Sequence, residues 1–158
     1  MVKWNLDDIY PNFSESSIDK TLKDIEKKVK EFEGIRPKLN DETSGREVFG
    51  ILKMSEEISR ELQLPSSYVH LKLTEDTTSH KWNAMNSRIS QFAVDASNRT
   101  LFFSLWWKNL DDANANRILN ELGKYNYMMH EKRKFKKYTL SEDEEKIINI
   151  KNITSGDA

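Results

Sequence analysis

Residues 78–110, TSHKWNAMNSRISQFAVDASNRTLFFSLWWKNL, decide the fold. This stretch contains no Gly and no Pro, so nothing in it forces a helix to stop. Its spacing predicts a helix over residues 79–105, about 40 Å long, on which shorter helices can pack. The apolar residues recur three, four or, at the end, seven positions apart and form one stripe: Trp82, Met85, Ile89, Phe92, Ala96 and Phe103.

The N-terminal half adds an arm and two helices. Residues 1–14 form an extended arm that we expect to dock on the helices, because five large apolar groups are too many for a disordered tail. A serine-capped helix then runs to Gly34, and a second helix is predicted to kink or restart at Pro65, which has no backbone N–H. The candidate caps are Ser14, Ser16 and Ser17, and the apolar residues of the arm are Trp4, Leu6, Ile9, Tyr10 and Phe13.

The C-terminal part predicts two or three further helices. Asp111 or Asp112 caps the first of them. Gly123 weakens this helix by about 1 kcal/mol relative to Ala, so a break near residue 123 is predicted. Thr139 or Ser141 caps a last short helix. The apolar residues of that last helix are Ile147, Ile148 and Ile150.

These elements predict an all-α fold. We expect an antiparallel bundle of five to seven helices with an extended N-terminal arm, as a single domain over residues 1–158. No closing element follows the last helix. We therefore expect the chain to be cut from a longer protein.

Composition excludes several classes of protein. The 25 Lys and Arg residues balance 26 Asp and Glu residues, so the chain has no overall field that would attract nucleic acid or an anionic membrane. The absence of cysteine excludes disulfides and thiolate metal sites within these residues. No stretch has the roughly 20 apolar residues of a membrane span. We expect a soluble, cytoplasmic protein with no nucleic-acid or membrane partner.

The motifs provide no catalytic, cofactor-binding or metal-binding residue. His130 and Glu131 begin the zinc motif H-E-x-x-H, but the fifth position is Lys134, whose cation would repel a metal. His70 and His80 lie in different predicted elements. We therefore predict that these 158 residues contain no catalytic or metal site of their own.

Two segments are candidate contact surfaces. The basic run 132–137 is suited to nucleic acid or a membrane, but the acidic run 142–145 favours a charged helix end close to its counter-charges. Residues 102–107 are apolar on nearly every side, so a role in the core competes with a role in an interface. The candidate interface residues are Trp106 and Trp107.

Four segments resemble the N-terminal region of oligoendopeptidase F, a branch of the thimet-oligopeptidase-like zinc metallopeptidases. Residues 4–10, WNLDDIY, are similar to the family's opening W-x-L-x-D-[LI]-[YF] arm. Residues 68–77, YVHLKLTEDT, are similar to its tyrosine-bearing helix, and residues 82–103 are similar to the long helix that follows. The last segment, LSEDEEKII at 140–148 with Gly156 and Ala158 after it, is similar to the family's L-S-x-x-E-E segment and small-residue stretch.

The resemblance implies a zinc peptidase that hydrolyses oligopeptides inside the cell. In that family a downstream H-E-x-x-H helix and a further Glu hold zinc, which activates a water while the motif Glu acts as base. The resemblance therefore implies that this chain is a non-catalytic N-terminal domain and part of the substrate-channel wall. Its partners would be a C-terminal catalytic domain and oligopeptide substrates, and zinc would belong to the intact protein.

Two alternatives stay open. A self-standing helical interaction module would use residues 132–137 with Trp106 and Trp107 to hold a partner. A homodimer would form through exposed apolar surface.

Overall fold

Six α-helices form the described part of the chain. The structure, a computed structural model, describes residues 5–155, with side chains over 5–152. This part contains no strand, so the all-α prediction is confirmed. None of its helices is long and apolar enough to cross a membrane. The helices are α1 (Glu15–Glu33), α2 (Gly45–Glu75), α3 (His80–Asn109), α4 (Asp112–Leu119), α5 (Asn126–Arg133) and α6 (Glu142–Ser155).

Side-chain caps fix where the helices begin, and they show which of the predicted capping residues is used. Ser14 caps α1. Asp111 caps α4, since its carboxylate accepts the N–H of Asn114 at 2.9 Å. Ser141 precedes α6, and its own N–H donates to the Glu144 carboxylate at 2.9 Å in a capping box.

α2 continues through Pro65 as one helix of 31 residues, so a restart at this position is wrong, while the alternative of a kink stays a prediction. The proline cannot donate the backbone hydrogen bond of a helix interior. Its ring is buried, and this burial offsets part of the cost. One turn of the helix is also held by the Ser66 hydroxyl, which donates to the Leu62 carbonyl at 2.8 Å.

The break predicted near residue 123 is confirmed. α4 ends four residues before Gly123, and a 3-10 turn from Gly123 to Tyr125 leads into α5. Gly123 has φ 51°, a left-handed conformation that costs a residue with a Cβ about 1–2 kcal/mol. The reversal lets α5 pack on α4 and on α3.

α3 contacts at least four of the other five helices. It was predicted over 79–105 and extends four residues further, to Asn109. α3 packs on α1, α2, α5 and α6. Ion pairs from Asp19 to Arg88 and from Glu26 to Arg99 show that α1 and α3 run in the same direction.

The N-terminal arm covers one end of this core. Leu6 and Tyr10 are buried, and the Phe13 ring stacks on Tyr68 with 4.2 Å between centroids. Docking of the arm is thus confirmed for the described residues. The arm is turned at this point instead of extended, because the Tyr10 N–H donates to the Leu6 carbonyl at 3.0 Å. Trp4, the first apolar residue assigned to the arm, lies outside the described residues.

Arg99 clamps α3 to α1. Its guanidinium donates to Glu26 at 2.7 Å and to Glu33 at 2.6 Å, and also reaches Asp95 at 3.2 Å. Hydrogen bonds from Arg99 hold the pKa of Glu26 and of Glu33 below the usual value. The same bonds raise the pKa of Arg99. The clamp is a further charged contact between α1 and α3, in addition to the Asp19–Arg88 ion pair.

Replacing Arg99 by Gln should lower the free energy of unfolding by about 2 kcal/mol at pH 7, because Glu26 and Glu33 lose charged hydrogen bonds and stay close together. Both carboxyl pKa values are depressed in the folded state. Their stabilisation is therefore present above the usual pKa of 4.5 and is lost as the pH falls through the folded-state pKa. The difference between variant and parent should shrink on acidification below that value, as measured by urea unfolding followed by circular dichroism.

Arg88 provides the matched control. It pairs with Asp19 at 2.6 Å, and both side chains are about half exposed. Arg88→Gln should cost less than about 1 kcal/mol. The stabilising role of the Arg99 contacts would be contradicted if both substitutions lowered the free energy of unfolding equally. It would also be contradicted if the loss caused by Arg99→Gln did not change with pH.

Candidate domain interface

Trp107, one of the two predicted interface residues, lies in the core. Its side chain is 1% exposed, and its Nε1–H donates to the Met129 carbonyl at 2.9 Å. The Arg133 guanidinium lies over the indole, 5.5 Å from the centroid. Trp107 therefore fastens the end of α3 to α5 and presents no indole to a partner, so the interface prediction does not hold for this residue.

Trp106 is partly buried. Its indole packs against the main core and lies 5.9 Å from the Phe103 ring, nearly parallel to it. This leaves only part of the indole available to another surface. An interface role for Trp106 stays a prediction.

The basic run 132–137 closes the C-terminal end of α3. Arg133 donates to the Trp107 carbonyl at 2.6 Å and to the Leu110 carbonyl at 2.8 Å, and Lys136 reaches Leu110 at 3.3 Å. Cations at this position satisfy free carbonyls and suit the negative end of the helix dipole. The run thus acts as a charged helix end.

The counter-charges of this run differ from those predicted. Lys134 pairs with Glu131 at 2.6 Å and Arg133 with Asp112 at 2.6 Å. Within the described residues, no ion pair joins the run to the acidic residues 142–145. Glu144 instead caps the start of α6, and Glu142 pairs with Lys146 of α6 and with Arg36.

Exposed apolar side chains concentrate in the C-terminal part of the chain. Phe135 and Tyr138, which follow α5, are 60% and 66% exposed. Outside this part, the described residues contain one exposed large apolar side chain, Leu64 on α2. We call the following set the C-terminal apolar residues: Tyr127, Met128, Phe135, Tyr138, Leu140, Ile147, Ile148 and Ile150.

α6 contributes to this set because it turns its polar side toward the bundle. Ile147 and Ile150 are 53% and 54% exposed, although an amphipathic helix would normally bury such residues. The Asn149 amide instead donates to the Asn98 side chain of α3 at 2.9 Å. The less exposed residues of α6 share one face at helical spacing: Glu142, Glu145, Lys146 and Asn149.

Charge fixes the start of α6 in this orientation. Arg36 donates both terminal nitrogens to the Glu142 carboxylate, at 3.1 and 2.7 Å. Lys146 pairs with the same carboxylate at 2.7 Å. The bond from Arg36, with help from Lys146, lowers the pKa of Glu142. α6 is thus anchored by polar contacts while its isoleucines face outward.

Sequence reasoning did not identify the C-terminal apolar residues as a surface. It counted Ile147, Ile148 and Ile150 as the apolar pattern of a packed helix. A signal was nevertheless present, because Glu142 and Asn149 stand at the spacing of one helix face together with Glu145 and Lys146. Either this polar face or the side with the isoleucines could therefore pack against the bundle.

His130 and Glu131 do not form a metal site. Lys134 pairs with the Glu131 carboxylate at 2.6 Å, and His130 Nδ1 lies 3.7 Å from the same group. Over the described side chains, no cluster of three or more His, Asp or Glu residues is placed to hold a metal. These residues do not fit a zinc ion.

Comparison with known proteins gives one family match. No curated protein and no solved structure matches the chain. Residues 106–158, the last third of the chain, match the model of the M3 peptidase N-terminal family described as Oligopeptidase F. This region contains the LSEDEEKII segment and the C-terminal apolar residues, whereas the other three resembling segments lie before it. Gly156 and Ala158 fall within the match but outside the described residues. Over these residues the match agrees with the predicted resemblance to the N-terminal region of oligopeptidase F-like peptidases.

Proposed function

We propose that this chain forms part of the substrate-channel wall of a zinc-dependent peptidase that hydrolyses oligopeptides. The catalytic centre lies in a region of the protein outside these 158 residues, and that region is the main partner of the domain. The absence of cysteine supports a reducing compartment, and we place the protein in the cytoplasm.

The single observation that carries the proposal is the overlap of the family match with the exposed apolar surface. The match covers residues 106–158, and every one of the C-terminal apolar residues lies within it. Exposed large apolar side chains on α5, on α6 and between them are candidates for a contact surface. We therefore assign them to the contact with the catalytic region, in the place first given to Trp107.

The interaction-module alternative has less support. It depended on the basic run and on both tryptophans as exposed groups. Trp107 is buried, and Arg133, Lys134 and Lys136 are engaged within the fold. The groups that were to hold a partner are thus largely occupied.

The 158-residue chain should bind no stoichiometric zinc and cleave no peptide, because it has no complete H-E-x-x-H motif. A chain that continues into the catalytic region should do both, and a chelator should abolish its activity. Metal analysis and cleavage of a quenched fluorescent oligopeptide measure the two properties. One tightly bound zinc in the short chain, or peptide cleavage by it, would contradict the proposal that the catalytic centre lies outside these 158 residues.

Ile147→Glu should weaken the contact with a separately expressed catalytic region, because it places a charge on the surface to be buried. The substitution should change the stability of the domain by no more than about 0.5 kcal/mol, since Ile147 is already exposed. Co-purification and thermal unfolding measure the two effects.

Leu64→Glu is the matched control, because Leu64 is an exposed apolar residue of α2 outside the set. It should leave the contact unchanged. If both substitutions weaken the contact equally, the assigned surface is wrong. If the 158-residue chain is a dimer that Ile147→Glu dissociates, a second copy occupies the surface in place of the catalytic region.

A further inference from the structure

An open cavity of about 400 Å³ lies between α2 and α3, with Phe32 of α1 at its base. This volume falls in the range of about 300–1,000 Å³ that ligand sites in proteins occupy. This cavity, which we call the trough, borders the face of α3 that also supplies part of the core. Its polar lining comes from two helices: Ser55, Ser59, Gln63 and Ser66 on α2, and Ser97 and Thr100 on α3.

The trough has no charged residue in its lining, although 32% of the chain is charged. The cavity between α1 and α3 differs, since Asp19, Arg88 and Arg99 are among its lining residues. Without a cation, the trough offers no attraction to a phosphate or a nucleic acid. Without a carboxylate, it offers none to a metal ion. An uncharged polar ligand fits this lining.

The floor of the trough is apolar. Phe32 and Ile58 are buried, and Leu62 is partly buried beside them. Apolar floors with a few polar groups on the walls are typical of ligand sites, where the floor supplies affinity and the walls supply orientation. The trough has this arrangement.

The walls offer both hydrogen-bond donors and acceptors. The hydroxyls of Ser66 and Thr100 donate to their own helices, at 2.8 and 2.9 Å, so their oxygens are left as acceptors. The Gln63 amide nitrogen donates to Ser67 at 2.9 Å, which leaves its carbonyl oxygen as an acceptor. The Ser59 and Ser97 hydroxyls have no side-chain hydrogen bond within the described residues and can donate. A peptide main chain, which alternates N–H and C=O, needs both kinds of group.

The spacing of these groups suits an extended peptide. Ser55 and Ser59 are one helical turn apart, about 6 Å, close to the 6.6 Å between same-side groups two residues apart in an extended chain. From Ser55 to Ser66 the α2 wall is about 16 Å long, the span of about five extended residues.

We propose that the trough between α2 and α3 binds an extended, uncharged stretch of an oligopeptide through its main chain. The proposal rests on the proposed function, because it assigns the wall of the channel a peptide-binding surface. Recognition of the main chain does not select a side-chain sequence. The C-terminal apolar residues take no part in this contact.

The test uses the 158-residue chain labelled with nitrogen-15 and a heptapeptide of Ala, Gly and Thr, acetylated and amidated so that it carries no charge. Amide shifts should change along residues 55–66 and 93–100, and the affinity should not depend on salt. Shifts confined to other residues, or no shifts at all, would overturn the proposal.

Ser97→Phe should fill the trough and weaken peptide binding about tenfold or more. Ser59→Phe on the opposite wall should do the same, and both residues are exposed enough to accept the ring without disturbing the core. Ser87→Phe is the control, because Ser87 is exposed on α3 and does not line the trough. Equal binding by all three variants would contradict the proposal.

The outcomes separate this inference from the proposed function. If the longer chain cleaves peptides and the trough binds none, the trough assignment fails and the proposed function stands. If the trough binds the heptapeptide while the longer chain shows no zinc-dependent cleavage, the proposed function fails and the binding site stands.

Discussion

One uninterrupted helix constrains the whole fold. α3 runs for 30 residues and packs on α1, α2, α5 and α6, so four other helices depend on its position. Its apolar stripe builds the core with α1 and α2, where Arg99 adds a charged clamp to Glu26 and Glu33. At its end, Trp107 and Arg133 tie it to α5. A break in α3 would separate these contacts from one another.

Local signals in the sequence were sufficient to predict the helices. The stripe of α3, the break at Gly123 and the caps at Ser14, Asp111 and Ser141 all depend on residues within a few positions of one another, and such short-range rules operate before packing is known. Pro65 was the exception. Its cost is local, but the burial that offsets it comes from the tertiary fold, which the sequence pattern does not reveal.

The candidate interface was harder to predict, because it depends on which side of a helix is buried. Trp107 and Trp106 are adjacent in sequence, yet one is enclosed by Met129 and Arg133 while the other keeps part of its surface open. For α6, Arg36 and Asn98 decide the orientation, and they lie far away in the chain. No periodicity within α6 includes these distant partners, so the spacing of its polar residues alone did not decide which side of α6 is buried.

The orientation of α6 bears on how the domain is used. A helix that buries polar groups forgoes the gain of about 25 cal/mol per Å² that its apolar side would bring. Specific contacts to Arg36 and Asn98 hold it there and leave the isoleucines available. On α3, Asn98 meets α6 while its neighbour Ser97 lines the trough, and successive helix residues differ by about 100° in direction. The trough and α6 therefore occupy adjacent sides of the same helix. In the proposed channel wall, a peptide in the trough and the catalytic region at α6 would therefore contact different sides of the domain.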